Sequence, residues 1–270
     1  MYLDFYKLKE KPFSVTPDPR YLYYSPHHRE AYCHLIYGIE QRKGFIELTG
    51  EVGCGKTTLC RAVLSGLSSN VETALILNPS LTETQLLRAM LNDFGLEVKG
   101  RDRLTYIETL NEFLLLKNTE GINVALLIDE AQDLSPKVME QVRLLSNLET
   151  DQHKLIQIVL VGQPELQQRL ASPSLRQLRQ RITVRYHIPP LTEAEAGLYI
   201  AHRLRVAGSD GSIVFEPVAV KRIFKYSRGI PRLINALCDN VLLAGYVAGT
   251  TRIGAECAER AVQQLEGSQR

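Results

Sequence analysis

Residues 50–57 have the residue types and spacing of a loop that binds phosphate groups. They read Gly-Glu-Val-Gly-Cys-Gly-Lys-Thr, after an apolar run and before a helical pattern, which is the context this motif requires. The backbone N–H groups of such a loop, and the N-terminus of the helix after it, attract phosphate oxygens. We therefore predict an ATP site whose binding residues are Gly50, Glu51, Val52, Gly53, Cys54, Gly55, Lys56, Thr57 and Thr58.

Two side chains of this loop have predicted roles of their own. Lys56 is expected to contact the β- and γ-phosphates, and the Thr57 hydroxyl is expected to ligate Mg²⁺. The alternative is a chance glycine-rich turn. The succession of strand, loop and helix in this segment disfavours that alternative.

Asp129 and Glu130 follow four apolar residues at the predicted end of a strand. Ligands of open α/β sheets bind at that edge. We predict that Asp129 holds Mg²⁺ through water and that Glu130 orients and polarises the attacking water. A kinase acting on a small molecule does not need the second acid, so the pair favours hydrolysis. Two solvated acids at the start of a loop are the alternative.

Two polar residues at other strand ends have open roles. Gln163 follows an apolar strand and precedes Pro164. It either contacts the γ-phosphate or the attacking water, or it is a polar residue before a turn. Asn78 either holds Glu130 in an inactive rotamer or caps the loop before Pro79.

Two groups of arginines are candidates for charge stabilisation. Arg176, Arg179 and Arg181 precede the last predicted strand. A guanidinium from that segment either stabilises a neighbouring subunit's γ-phosphate or belongs to a solvated surface. Arg232 follows Gly229-Ile230-Pro231 at a predicted helix start. It either reports the state of the nucleotide through domain closure or is an ordinary surface residue.

Alternating strand and helix patterns are expected to position these residues. Continuous apolar runs separated by helical patterns predict a parallel sheet covered on both faces. The predicted strands are 45–49, 73–77, 124–128, 156–161 and 183–187. The predicted helices are 27–43, 56–68, 82–94, 103–117 and 136–148, the last with Ser135 as N-cap.

The pattern changes after Pro189-Pro190. Segments 192–207, 216–227, 231–247 and 254–266 predict helices with no strand among them, and Thr192 and Glu195 have the spacing of a capping box. We predict an α/β core over 1–190 and a helical lid over 191–270. Within the core, prolines and aromatics predict that 1–30 is extended.

Bulk properties exclude several classes of protein. The chain has 44% hydrophobic and 23% charged residues and a formal charge of +2, which makes no electrostatic case for nucleic acid or membrane as an obligatory partner. No run reaches the length of a membrane span, and the N-terminus does not read as a signal peptide. Five cysteines without metal-ligand spacing predict reduced thiols in a cytoplasmic protein.

The combined motifs resemble the AAA+ ATPase superfamily. The set is the phosphate loop, Asp129-Glu130, a polar residue after the fourth strand, an arginine cluster, and a lid with Gly-x-Pro-Arg. This resemblance implies a P-loop αβα core of three layers with a five-stranded parallel sheet and a small all-helical lid. It also implies that Gln163 is sensor 1, Arg232 is sensor 2, and Arg176, Arg179 or Arg181 is the arginine finger.

Further motifs are similar to the general secretion pathway protein A family, which includes related ATPases of pilus biogenesis and of exosortase loci. They are Met1-Tyr2, Pro12-Phe13, Pro17-Asp18-Pro19, Tyr24-Ser25, His28-x-Glu30-Ala31, Tyr37-Gly38-Ile39, Gly44-Phe45, Leu48-Thr49-Gly50-Glu51-Val52-Gly53 and Val161-Gly162-Gln163-Pro164-Glu165-Leu166. Longer members continue into a membrane span, so we expect either a short member or a truncated one. The family implies that residues 12–24 line the adenine pocket; alternatively, Phe13, Tyr21 and Tyr23 cover the sheet edge.

The resemblance implies an ATPase that forms homo-oligomers, as a ring such as a hexamer, and hydrolyses ATP with Mg²⁺ at subunit interfaces. It would drive assembly of an envelope secretion, pilus or polysaccharide-export machine from the cytoplasm or the inner-membrane face. The alternative is a nucleic-acid-associated AAA+ regulator for transposition targeting or initiation. A third possibility is an ATP-loaded scaffold with little turnover.

Overall fold

The chain is described by a computed structural model that covers residues 2–77, 80–98, 100, 102–150 and 154–267. Its described residues divide into two compact units. The first comprises those of Met1–His28, Glu51–Thr58 and Pro189–Arg270, and the second those of Arg29–Gly50 and Leu59–Ile188. The division predicted from the sequence, at residue 190, stays a prediction.

The second unit is built on a parallel sheet. Among the described residues its strands have the order β2-β3-β4-β1-β5. The strands are β1 (Phe45–Gly50), β2 (Val71–Ile76), β3 (Asn123–Ile128), β4 (Gln157–Gly162) and β5 (Ile182–Ile188). Every residue of β1, β3 and β4 is buried, which explains why these strands read as continuous apolar runs. The predicted sheet is confirmed, with strand ends displaced by one or two residues.

Helices cover both faces of this sheet. The helices that precede residue 190 are α1 (Tyr2–Phe5), α2 (Pro26–Glu40), α3 (Lys56–Gly66), α4 (Glu83–Asp93), α5 (Arg103–Thr119), α6 (Pro136–Leu145), α7 (Pro164–Leu170) and α8 (Arg176–Arg181). α4, α5 and α6 share one apolar core with alternate residues of the strands. On the opposite face α2 crosses β1 so closely that a Cβ on Gly38 would lie 2.6 Å from the Ile46 side chain. The three layers predicted from the sequence are confirmed.

The remaining helices belong to the first unit. They are α9 (Glu193–Val206), α10 (Pro217–Ser227), α11 (Pro231–Val247) and α12 (Ala255–Leu265). The capping box of Thr192 and Glu195 is present, as predicted. The expectation of no strand after residue 190 missed β6 (Val214–Phe215) and β7 (Arg252–Ile253), which pair in parallel. Strands of two residues are too short to show any periodicity in a sequence.

The N-terminal strap, which we define as residues 2–24, is part of the core of the first unit. Phe13 packs edge-on against Phe215 at 6.3 Å, and Tyr23 packs against Tyr199 at 6.1 Å. Tyr21 is buried in the same apolar cluster as the lid helices. These aromatic side chains therefore pack on the helices after residue 190; their places at the adenine pocket and at the sheet edge stay predictions.

Arg203 of α9 fixes this strap in place. Its side chain is buried, and it donates to the carbonyl oxygens of Pro12 at 2.6 Å and Ser14 at 2.9 Å. The guanidinium also lies 4.4 Å from the centre of the Tyr21 ring. The strap has no regular partner strand over 12–14, so Arg203 supplies the donors that its buried carbonyls need.

We expect Arg203→Leu to lower the free energy of unfolding by about 3 kcal/mol, because two carbonyl oxygens lose charged donors. Urea unfolding measures the loss, and limited proteolysis should show faster cleavage within the strap. Arg205→Leu, on the exposed side of the same helix, is the matched control and should change stability by less than about 0.5 kcal/mol. Equal behaviour of the two variants would contradict this role of Arg203.

Candidate functional site

The predicted phosphate loop has a curled backbone that only glycine adopts easily. Gly53 and Gly55 have φ values of +82° and +92°, which point successive N–H groups toward one side of the loop. Lys56 begins α3, and its Nζ donates to the Glu51 carbonyl at 3.0 Å. A phosphate group fits this arrangement, because N–H groups, a helix N-terminus and an ammonium group converge on the loop.

Arg232 lies against this loop in the first unit. Its backbone N–H donates to the Gly53 carbonyl at 3.2 Å, and a Cβ on Gly53 would lie 2.5 Å from the Arg232 Cβ. Pro231 occupies the first helical turn of α11, which confirms the predicted helix start. The contact gives Arg232 the place beside the loop that its proposed role requires.

His28, for which the sequence analysis predicted no role, also contacts the loop. Its buried ring places Nε2 2.8 Å from the Cys54 carbonyl oxygen and Nδ1 2.7 Å from the Ser25 Oγ. A carbonyl only accepts, so Nε2 carries the hydrogen and Nδ1 accepts from the serine. Burial lowers the pKa of His28, against the opposing effect of the Cys54 carbonyl. A neutral histidine therefore holds the middle of the loop.

The Cys54 side chain is fully buried in this loop. Burial raises the pKa of its thiol to about 11. A protonated, enclosed thiol is a poor nucleophile. Cys60, Cys238 and Cys257 are also buried, whereas Cys33 is exposed.

The two acids predicted from the sequence lie at the end of β3 in the second unit. Asp129 is buried, and its carboxylate accepts from the Glu130 N–H at 2.9 Å. Glu130 has a φ of +51°, a left-handed conformation that is unfavourable for a residue with a side chain. That conformation turns the chain sharply between β3 and the 3₁₀ helix Ala131–Asp133.

Two amide side chains hold the Glu130 carboxylate. Its Oε2 accepts from Gln132 Nε2 at 2.7 Å and from Gln163 Nε2 at 3.0 Å. Gln132 also accepts from the Gln163 N–H at 3.1 Å, so the ends of β3 and β4 are tied together. Arg169 of α7 donates to the carbonyls of Gln132 and of Leu134. Gln132 and Arg169 were not singled out in the sequence, since glutamine after two acids carries no recognised spacing.

The three candidate finger arginines differ in what they contact. Arg181 donates to Asn147 Oδ1 at 2.7 Å, to the Arg143 carbonyl and to Ser146, all at or just after the C-terminal end of α6. Arg176 and Arg179 have exposed side chains on α8. Arg181 is therefore engaged within its own subunit, whereas the other two face solvent.

Thr57 and Asp129 supply the oxygen donors that Mg²⁺ prefers. Thr57 is the second residue of α3, and Asp129 directly follows β3. The donor set fits the cation implied by the fold. Asn78, the candidate partner of Glu130, lies outside the described residues.

Comparison with known proteins finds relatives of this chain. The sequence profile described as AAA domain matches residues 39–170. General secretion pathway protein A of Aeromonas hydrophila is 49% identical over 254 residues, which cover 94% of this chain and 46% of that protein. The chain is thus similar to this protein over nearly all of its own length and carries a match to the AAA domain. An uncharacterised HTH-type transcriptional regulator of Methanocaldococcus jannaschii is 24% identical over 88% of the chain and 60% of its own length. The chain thus spans about half the length of the curated relatives it matches.

Solved structures share the fold of this chain. The ORC2 protein of Aeropyrum pernix matches 97% of this chain and 73% of its own with a TM-score of 0.70 and 17% identity. The RuvB Holliday junction branch migration motor of Thermotoga maritima matches 90% and 70% with a TM-score of 0.59 and 22% identity. At these identities the likeness establishes the fold alone. No helix in the described ranges has both the length and the apolar character of a membrane span.

We expect Gly53→Ala to weaken nucleotide binding, because the added methyl group meets Arg232 and the residue must keep a positive φ. The affinity for a fluorescent ADP analogue should fall by at least about tenfold, and the free energy of unfolding should fall by about 3 kcal/mol. Gly211→Ala is the matched control, with a φ of +90° and no heavy atom within 4 Å of the new Cβ. It should cost about 1 kcal/mol and leave affinity unchanged.

His28 should make stability depend on pH. Its pKa in the folded protein is below the ordinary value of 6.5, so the unfolded chain binds the proton first. Its contribution is present above pH 6.5 and is lost as pH falls toward the folded pKa. Unfolding measured in urea between pH 7.5 and 5 should show a shallower loss for His28→Gln, which keeps a donor for Cys54. His34→Gln, which removes a partly exposed histidine, should retain the full slope; a parallel loss in all three proteins would contradict the assignment.

Proposed function

We propose that this chain hydrolyses ATP and uses the hydrolysis to assemble or drive a cell-envelope secretion machine. The observation that carries the proposal is the order of the strands. The phosphate loop, Asp129-Glu130 and Gln163 directly follow β1, β3 and β4, and β4 lies between the other two. In parallel sheets, ligands bind at the edge where the strands end.

The loop supplies binding and charge neutralisation in this proposal. Its N–H groups and Lys56 hold the β- and γ-phosphates, and the Thr57 hydroxyl with Asp129 holds the cation. When bound, Mg²⁺ neutralises charge on the phosphate oxygens. Arg232, which contacts the loop through Gly53, is the residue of the lid that responds to the nucleotide.

Glu130 acts on the attacking water. Its carboxylate is held in position by Gln132 and Gln163, and in this proposal it accepts a hydrogen bond from the attacking water and so orients that water for in-line attack. Gln163 therefore acts through Glu130 in this proposal. The second acid, Glu130, distinguishes a hydrolase from a kinase. In a kinase, the hydroxyl group that accepts the phosphate would need the space that the attacking water occupies here.

The catalytic site is completed by a neighbouring subunit in a homo-oligomer, which we propose to be a ring. Arg179 supplies the cation that stabilises charge on the γ-phosphate during transfer. The support for Arg179 is its exposed side chain on α8, in contrast to the hydrogen bonds of Arg181 to the end of α6. Arg176, also exposed, is the second candidate.

The relative from Aeromonas hydrophila supports the proposed pathway, because its name assigns it to general secretion and it is 49% identical over 94% of this chain. We therefore propose an envelope-assembly protein as the partner, reached from the cytoplasmic side of the membrane. The likeness to ORC2 and RuvB concerns the fold, and the formal charge of +2 does not favour nucleic acid. ATP-dependent DNA binding with a steep salt dependence would favour the regulator interpretation instead.

Mixing of inactive variants tests both the hydrolase and the shared site. We expect Glu130→Gln to lower the rate of phosphate release by about 10²-fold or more while ATP binding remains, and Arg179→Ala to lower it by about 10³-fold. A 1:1 mixture should regain about one quarter of the wild-type rate, since about one interface in four combines an intact Glu130 with an intact Arg179.

Arg176→Ala and Arg181→Ala are the matched comparisons in this assay. Arg181→Ala should lower the melting temperature, because it removes hydrogen bonds to α6, whereas Arg179→Ala should not. If none of the three mixtures recovers phosphate release, the proposal that an arginine acts in trans is wrong. If Glu130→Gln keeps full turnover, the proposal that this acid is catalytic is wrong.

A further inference from the structure

A buried carboxylate lies within the strand that leads to the phosphate loop. Glu47 is the third residue of β1 and is 4% exposed. It is in register with Arg185 of β5, and the Arg185 Nε lies 3.3 Å from its Oε2. β1 is otherwise apolar over its first four residues, and Phe45, which lies on the same face of the strand, belongs to the apolar core.

Arg185 connects this carboxylate to the helix that carries the candidate finger. Its Nη2 donates to the backbone carbonyl of Arg179 at 2.5 Å. Arg179 is in the last turn of α8, and β5 begins directly after that helix. One guanidinium therefore bridges a buried side chain of β1 and the backbone of Arg179.

A second set of polar contacts strengthens the same face of the sheet. The Thr49 hydroxyl lies 2.7 Å from Gln167 Nε2 and 3.1 Å from His187 Nδ1. Thr49 and His187 are in register, one pair beyond Glu47 and Arg185 along the same face. The polar cluster thus joins β1 and β5 side by side up to the residue before Gly50, where the phosphate loop begins.

The stability of the fold alone does not explain a buried carboxylate at this position. Burial raises the pKa of Glu47, and the charges of Arg185 and Arg179 oppose that effect. Ionised groups in such a place contribute little net stability, and apolar residues of similar size often serve as well. Buried charge beside a predicted catalytic residue is more typical of a group that positions another.

We propose that Glu47, acting through Arg185, positions Arg179 for the nucleotide of the neighbouring subunit. The inference rests on the proposed function, since it concerns the shared site. Glu47 is a positioning residue in this scheme and touches no reacting atom. Glu47 lies in β1, the strand that leads to its own subunit's phosphate loop. It therefore connects that strand to the arginine that the same subunit provides to its neighbour.

Mixing distinguishes this role from the two alternatives. Glu47→Gln keeps the size of the side chain and removes its charge, and alone it should lower turnover by about tenfold or more. If its defect lies in the arginine offered in trans, turnover should recover on mixing with Glu130→Gln and should not recover on mixing with Arg179→Ala. The double variant Glu47→Gln with Arg179→Ala should be no slower than Arg179→Ala alone.

Arg185→Gln provides the second variant, because its side chain is half exposed and its loss is compatible with folding. It should show the same mixing pattern as Glu47→Gln. Glu47→Gln should keep the melting temperature within about 2 °C of wild type, whereas Arg185→Gln should lower it, because the buried Glu47 carboxylate loses its cation. Glu108→Gln, an exposed glutamate on α5, is the matched control and should turn over as wild type does.

Three outcomes would overturn the proposal. Recovery with Arg179→Ala but not with Glu130→Gln would place the defect in the variant's own phosphate loop. Recovery with neither partner, or a melting temperature of Glu47→Gln lowered by more than about 5 °C, would make Glu47 a residue of the fold. If Glu47→Gln turned over ATP at the wild-type rate, Glu47 would have no positioning role.

The mixture of Glu130→Gln with Arg179→Ala contains intact Glu47 and is measured first. If it fails to recover, the shared site itself is absent and the inference falls with it. If it recovers, any failure in the Glu47 mixtures belongs to this inference alone.

Discussion

The second unit depends on one constraint: its five described strands run in the same direction. Parallel strands need crossover connections, which place helices on both faces and leave every strand ending at one edge. The chain uses three neighbouring ends of that edge, after β1, β3 and β4. Loops at those ends can differ freely in sequence while the buried strands keep their directions fixed. The chemistry is therefore concentrated in a few residues that follow apolar runs.

Polar side chains that are buried or partly buried interrupt the apolar packing of both units. Glu130, His28 and Arg203 each sit in a confined place and each contact partners of matching donor or acceptor type. Leaving any of these groups unpaired would cost more than its hydrogen bond gains. Such groups therefore add little net stability while paired, destabilise the protein when a partner is removed, and strongly determine geometry, which suits residues that must hold a loop, a carboxylate or a strap in one arrangement.

Much of this could be read from the sequence, for physical reasons that differ between elements. The strands were predictable because burial on both faces makes them continuously apolar, and α6 and α9 because Ser135 and Thr192 cap them. The places of Gln132 and His28 were not predictable, since each depends on a partner distant in the chain or on a single left-handed residue. β6 and β7 are too short for any pattern, and α7 and α8 carry no strong apolar period.

The N-terminal strap has a consequence for how the chain folds during synthesis. Tyr2 bonds to Asp239, and Pro12 bonds to Arg203, so the partners of the strap are made about 190 to 240 residues after it. Contacts of such large sequence separation form late and carry a high loop-closure entropy. The second unit contains all of its own strands by residue 188 and can fold while the ribosome is still translating. The strap is made first, and its aromatic side chains remain exposed until the helices after residue 190 have been synthesised.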